Sequence, residues 1–335
     1  MQILQESLVQ LKPKFRIDEY HPIFDRDDAR AVSNVVQSQW VSEGKLTCAF
    51  ERKLASIMGY KYGVVTVNGT MAISLALMAA GIGENDSLTM PDLTFAGTAN
   101  AVKAVGAEPT LIDIDENDFC ARSVDVPVAL NGRSVDGGIV IDAAQALGSS
   151  IGKAKQATLS FAPNKIITTG QGGMVFTDSK ALVENVRRLK DHGRLDKADF
   201  HQQFGFNAKF TDLQAALGLS QLDKLPKRIR QKQTIFKHYR DELESLCPPF
   251  QDGELLWNQD ILVNNRDRLA ARLLKLGIQT RPFYAPLHTQ PAYKTNWRFP
   301  VTERISATGL WLPSSPDLSS EEVSFICDSI KRSLK

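Results

Sequence analysis

Cysteine and histidine are scarce and scattered. Cys48, Cys120, Cys247 and Cys327 share no close spacing, and the five histidines form no H-x-x-x-H pair. That pattern argues against a disulfide framework and against a metal centre built on paired ligands. Neither sign of charge is in excess: 40 Lys and Arg stand against 38 Asp and Glu, a net charge of +2. Such a balance leaves no electrostatic footprint for nucleic acid, and there is no acidic tail. Long hydrophobic runs are missing too. Charged residues interrupt every apolar stretch, so no transmembrane helix is expected. The opening "MQILQESLVQLKPKF" is too polar for a secretory signal. A cytoplasmic protein is the expectation. No repeat and no low-complexity segment is evident.

What is present is ordinary globular composition over 335 residues, 43% of them hydrophobic. The length allows two domains, or one large domain with an appendage. From about residue 60 to 180, short apolar runs alternate with helical ones. "GVVTV" (63–67), "SLTM" (87–90), "EPTLIDID" (108–115), "VPVAL" (126–130), "GIVIDA" (138–143), "ATLSFA" (157–162) and "GMVFT" (173–177) are the seven expected strands. Helical periodicity marks "ERKLASIMG", "TMAISLALMAAG", "FAGTANAVKAVG", "SKALVENVRRLKDHG" and "TDLQAALGLSQLDKL". The pattern predicts an α/β fold with a mostly parallel seven-stranded sheet covered by helices. Pro226 should break or kink the helix that precedes it. Residues 1–226 are therefore assigned to an N-terminal segment and a large domain. Residues 227–335 are assigned to a smaller α+β domain holding "KRIRQKQTIFKHYRDELESL", "RDRLAARLLKLG" and "SSEEVSFICDSIKRSL" as helices.

Such sheets bind ligands beyond the carboxyl ends of their strands. Four features fall there. Gly69 and Thr70 join the first strand to its helix, where free amides and the helix dipole make a phosphate seat; an ordinary turn is the alternative. Asp142 ends a buried strand, with Gln145 three residues on. A carboxylate there needs a partner, such as a protonated ring nitrogen, or else it caps a following helix. Phe95 follows a strand end, where its face suits a flat ring or the core. In "SFAPNKIITTGQGG", Ser160 precedes Lys165 by five residues, and Lys165 is the one charge in the stretch. A solvated turn lysine is the plain alternative. A phosphate seat, an acid, a stacking ring and a lone amine together suit one cofactor, pyridoxal 5'-phosphate (PLP), bonded to lysine as a Schiff base.

The motifs "NGTMAISLAL", "PDLTFAGTANAV", "DAAQALG", "SFAPNKIITTGQGG", "GFNAKFTDLQAALGLSQL" and "RPFYAPLHTQPAY" occur in this order. In them the chain resembles the DegT/DnrJ/StrS family of PLP-dependent nucleotide-sugar aminotransferases, which have the aspartate aminotransferase (type I) fold. "NKIITTGQGGM" and "TRPFYAPLH" look most like the perosamine-synthase branch, which aminates C4 of a GDP-linked 4-keto-6-deoxy sugar. The resemblance implies a catalytic Lys165 that also shuttles a proton and an Asp142 on the pyridine nitrogen. It implies Gln145 near the ring's phenolic oxygen and Phe95 over the ring. Gly69, Thr70 and Ser160 would hold the phosphate. Asn207 matches an asparagine that reaches a neighbouring subunit's phosphate, which implies a homodimer with shared active sites. Tyr284 and His288 match a segment near the sugar, with a purely structural loop role as the alternative. Glutamate is the implied amino donor, leaving as 2-oxoglutarate in a ping-pong reaction. The pathway product, such as an O-antigen, capsule, glycan or antibiotic sugar, stays open. A sister branch dehydrates sugars with histidine in place of the lysine, and Lys165 argues against it. A lysine-bearing PLP dehydratase, and a non-catalytic sensor or scaffold that keeps PLP or a nucleotide sugar, are the remaining rivals.

The chain departs from the family in one region. It lacks the helical segments usual before and after "VPVAL", and only "NGRSVDGG" links that strand to "IVIDA". Parallel neighbours normally need a crossover of about a dozen residues or more. A bare loop should cross here, leaving one sheet face thinly covered by its own helices. A partner subunit or a relocated segment would then have to protect it.

Overall fold

The computed structural model describes residues 17–194 and 199–334. Helices α1 (Arg26–Ser38) and α2 (Lys45–Ile57) come first. The Asp25 carboxylate accepts from the amides of Asp27 and Asp28, and the Asp28 carboxylate accepts from the Asp25 amide. This capping box satisfies amides that lack partners inside the helix. Strand β1 (Tyr62–Thr66), α3 (Gly69–Ala79), β2 (Ser87–Pro91), α4 (Ala96–Ala104) and β3 (Glu108–Ile112) then alternate as the periodicity predicts. Next come β4 (Ile141–Asp142), β5 (Gln156–Ser160), β6 (Gly173–Thr177), α5 (Lys180–Lys190), α6 (Asp212–Asp223) and α7 (Leu225–Leu243).

One ladder has the order β1-β6-β5-β4 and another pairs β2 with β3. Residues 126–128 tie the two together. The Val126 amide donates to the Thr89 carbonyl of β2, and Val128 bridges Asp142 of β4 in parallel. The strand expected at 126–130 is reduced to this bridge, and the one expected at 138–143 to two residues. β6 runs antiparallel to both β1 and β5. The reason is local: residues 161–172 lead from β5 straight into its neighbour without a crossover helix.

The region between α4 and α5 contains no α-helix. The link from 131 to 138 is a loop opened by a single 3₁₀ turn, Leu130–Gly132. Gly132 has φ +88°, and a Cβ there would lie 2.1 Å from the Leu255 carbonyl oxygen. Only glycine fits that approach. The sheet face is nevertheless covered, by a later part of the same chain. Ala129, Val135, Ile141 and Ala143 share one buried cluster with Ile235, Phe236 and Tyr239 of α7 and with Leu255 and Leu256. No large hydrophobic side chain between residues 105 and 160 is exposed.

A buried polar lock ties this loop down. The Asn131 side-chain amide donates to the Asn258 carbonyl at 2.9 Å and to Asp260 Oδ2 at 3.1 Å. Arg133 Nη2 lies 2.7 Å from the same Asp260 oxygen, and neither partner of that ion pair reaches solvent. The Arg133 guanidinium also covers the Phe119 ring at 4.6 Å.

The remaining elements are β7 (Gln259–Leu262), α8 (Arg266–Lys275), β8 (Arg281–Pro282), α9 (Pro300–Thr308), β9 (Gly309–Leu312) and α10 (Ser320–Leu334). Their strands form an antiparallel sheet of order β7-β9-β8. Sequence periodicity located α8 and α10 but not α9 or these three strands, which are too short to show a period. Pro226 does interrupt the helix: α6 stops at Asp223, and Pro226 sits in the first turn of α7, where its missing amide costs nothing.

Asp260→Ala should leave Arg133 buried and unpaired. Equilibrium urea unfolding should register a loss of about 3–5 kcal/mol, against less than about 0.5 kcal/mol for an exposed control such as Asp223→Ala.

Candidate active site

β1 and β5 are both antiparallel to β6, and β4 is parallel to β5. The carboxyl ends of β1, β4 and β5 therefore share one edge of the sheet. A cavity of about 300 Å³ opens there, and Gly69, Thr70, Phe95, Asp142, Gln145, Ser160, Lys165 and Tyr284 all line it. Asn207 and His288 do not.

Lys165 stands in the 161–172 loop. The loop is closed by the Thr168 hydroxyl donating to the Phe161 carbonyl at 2.9 Å, and the Tyr20 hydroxyl donates to the Lys165 carbonyl at 3.0 Å. Lys165 as a whole residue is half-buried, and its amine is set deep. Burial pushes the amine down to about 8; Asp142 opposes that shift and Arg281 reinforces it. A solvated turn lysine would not behave so.

Asp142 is 7% exposed. Its Oδ2 accepts from the Thr98 hydroxyl at 2.7 Å and its Oδ1 from the Ala144 amide at 3.0 Å. Both donors are neutral. No helix begins here, so the carboxylate holds a turn rather than capping a helix, and a cationic partner in the cavity remains suitable. α3 starts at Gly69, capped by Asn68, whose Oδ1 takes the Met71 amide at 2.8 Å. The Gly69 and Thr70 amides have no partner within the helix. A Cβ on Gly69 would come 2.9 Å from the Ser160 Cβ, so the glycine keeps open the cleft between the helix start and Ser160.

Phe95 is 58% exposed, which removes core packing as its explanation. Its ring lies 5.7 Å from that of Tyr284. Gln145 Oε1 accepts from the Asn131 amide at 2.6 Å, while Nε2 donates to the Tyr284 hydroxyl at 2.8 Å. A backbone amide can only donate, so this orientation of the carboxamide is determined. Burial pushes the Tyr284 hydroxyl up to about 12 and keeps it protonated.

Asn207 lies in a separate hollow with Trp40, Glu43, Lys190 and Lys209, and it bridges Asp191. His288 is buried, with Nδ1 2.6 Å from Asp92 Oδ2 and Nε2 3.4 Å from Glu303 Oε1. Its imidazole ties the loop before α9 to the end of β2.

Sequence reasoning missed Thr98, Arg281 and Trp257. Thr98 is one helical turn beyond Phe95, and that spacing was available as a signal. Arg281 sits in the "TRPFY" stretch without being singled out. Trp257 belongs to no regular element and carried no signal.

Solved structures share this architecture. An aminotransferase of the DegT/DnrJ/EryC1/StrS type from Brucella abortus superposes with a TM-score of 0.85 at 27% identity, covering 91% of this chain and 95% of that one. DesV of S. venezuelae, solved in complex with a ketimine intermediate, gives 0.86 at 25% identity, covering 93% and 98%. Fold and site thus define a PLP-dependent enzyme of fold type I. A model of the DegT/DnrJ/EryC1/StrS aminotransferase family matches residues 22–141 and 134–331. The chain is 32% identical to GDP-perosamine synthase of Escherichia coli O157:H7, over 94% of this chain and 97% of that protein. The chain belongs to the DegT/DnrJ/EryC1/StrS aminotransferase family, and it is a PLP-dependent aminotransferase.

The residues present fit that cofactor. A glycine-lined helix start would suit a phosphate, a carboxylate held only by neutral donors would suit a protonated ring nitrogen, and an amine of lowered pKa lines the same cavity.

Gly69→Ala should leave the helix intact, because alanine suits a first turn. The added methyl meets Ser160, and overpacking of about 1–3 kcal/mol should weaken PLP binding by about five- to 140-fold. Equilibrium dialysis with circular dichroism as the folding control measures both.

Proposed function

We propose that the enzyme moves the amino group of glutamate to a keto sugar carried on a nucleotide, and that the sugar is a 4-keto-6-deoxy sugar linked to GDP. The observation that carries this reading is the near-full-length similarity to GDP-perosamine synthase. The reaction is ping-pong. Glutamate and the sugar use the one cavity in turn, and 2-oxoglutarate leaves before the sugar enters.

When bound, PLP supplies an electron sink for the bond-breaking at the substrate carbon. This chain's residues do the rest. The Gly69 and Thr70 amides and the Ser160 hydroxyl hold the phosphate. Asp142 keeps the proton on the ring nitrogen. Phe95, which lines the cavity, would stack on the ring. Lys165 would bond the cofactor, and its amine would move a proton at the substrate carbon. An amine near 8 serves both directions at neutral pH, because neither its charged nor its neutral form is rare. Arg281 lines the same cavity, and we assign it to a glutamate carboxylate, which a guanidinium binds in two-pronged fashion. Gln145 and Tyr284 present a fixed hydroxyl to the substrate side.

The working unit in this proposal is a homodimer with shared active sites. Asn207 is apart from its own Lys165 and faces a hollow beside the exposed Trp40, and we assign it to the partner's phosphate. Among the described residues no helix is long and apolar enough to cross a membrane. A cytoplasmic location is our reading.

The test is an absorbance spectrum of the purified protein before and after glutamate, with Lys165→Ala beside it. The wild type should carry a near-visible band that glutamate bleaches, and the variant should fail that half-reaction. A panel of 4-keto and 3-keto nucleotide sugars should then restore the band, with the GDP-linked 4-keto sugar fastest. Persistence of the band in glutamate overturns the donor. Restoration only by another sugar overturns the acceptor. Arg281→Ala should raise the KM for glutamate by about ten- to a hundredfold, the worth of a lost charged hydrogen bond, and change the KM for the sugar far less.

A further inference from the structure

Trp257 has no part in the roles above, yet it forms the floor beneath Lys165. The Lys165 Nζ lies 4.4 Å from the centroid of its indole. Three separate parts of the chain hold Trp257 in place, one through the indole and two through its backbone. Its Nε1–H donates to the carbonyl of Asn164, the residue before Lys165, at 2.7 Å. Its amide donates to the Asn131 carbonyl in the shortened crossover at 3.0 Å. Its carbonyl accepts from Lys232 Nζ of α7 at 2.7 Å. Trp311 packs edge-on against the ring, centroids 5.6 Å apart. Trp257 is itself buried.

A lysine that bonds a cofactor and is then displaced needs a defined resting position, and during proton transfer it must hold a positive charge there. A desolvated ammonium is unfavourable without a partner. An aromatic face supplies one, since its quadrupole attracts a cation and does far less for a neutral amine. We propose that Trp257 is a positioning residue: the freed Lys165 amine rests on its indole face, which favours the protonated form. This rests on Lys165 being the lysine that bonds the cofactor.

The other titratable groups around the amine and the indole come from several parts of the chain. Asp142 at the end of β4 also favours the ammonium, and Arg281 of β8 disfavours it. Arg281 shares the same indole at 5.7 Å. The hydroxyls of Tyr284 and Tyr20 are raised by burial and stay neutral. Lys232, which donates to the Trp257 carbonyl, is pushed down to about 7 by burial.

The full-length protein, stripped of PLP, is remixed with PLP from about pH 6 to about pH 10. The rate at which the near-visible band appears is followed, and Lys165→Ala run alongside subtracts other lysines. The acid limb of the wild-type profile reports the Lys165 amine. In Trp257→Leu that limb should move down by about half a unit to one and a half units, the worth of a desolvated cation–π contact. Trp257→Phe keeps a smaller face and should fall between. A fluorinated tryptophan placed at 257 keeps the shape and the bond to Asn164 while weakening the face. It should move the limb the same way by a smaller amount, and it decides the matter if Trp257→Leu does not fold. A fluorinated protein whose limb stays with the wild type overturns the proposal and leaves the functional reading standing. A wild type that forms no Lys165-dependent band overturns the functional reading and the proposal with it.

Discussion

One row of backbone pairing organises the molecule. Gly173, the first residue of β6, pairs with Thr66 on one side and Ser160 on the other. Three strand ends are thereby brought level. The turn after Thr66 starts α3 and presents its unpaired amides, and the chain beyond Ser160 becomes the lysine loop. Because β6 returns antiparallel, that loop closes on itself instead of crossing the sheet as a helix. Lys165 is held at the strand ends by a short tether, and enclosure there lowers its pKa. An amine on a long crossover would have reached solvent.

The shortened crossover shows how a fold can lose helices without losing its core. The apolar surface around β4 is covered by α7 and the 255–256 segment. The backbone of the bare loop still needs partners, because water is excluded there. Gln145 Oε1 takes the Asn131 amide, Glu254 Oε1 takes the Ser134 amide, and the Ser149 hydroxyl donates to the Gly132 carbonyl. The same loop also reaches the site. Its Asn131 amide sets the Gln145 carboxamide, and Gln145 then meets Tyr284. Its Asn131 carbonyl holds Trp257. Economy of chain in one place is coupled to geometry in another.

Two residues that motif matching groups with the site are placed elsewhere. His288 is enclosed by Asp92 and Glu303, and burial raises the Asp92 carboxyl. That imidazole joins two loops that border the cavity. Asn207 lines a hollow that its own Lys165 does not.

Much was legible in the sequence because the relevant physics is local. Strand periodicity, a glycine at a strand-to-helix turn, an acid ending an apolar run and a lysine without charged neighbours are all short-range patterns. They located β1 to β3, the helix starting at Gly69, and the positions of Asp142, Ser160 and Lys165. What stayed hidden depends on long-range packing. The fragmentary strand at 126–128 exists only because β2 and β4 flank it. The cover over β4 comes from a helix a hundred residues later. Arg281 and Trp257 arrive from a two-residue strand and an irregular segment, which have no period to detect. The sequence by itself determined which chemical groups stand at the strand ends, since each is set by its own few neighbours. Only the tertiary structure decided what surrounds the Lys165 amine, since burial and facing charge are properties of segments that meet in space.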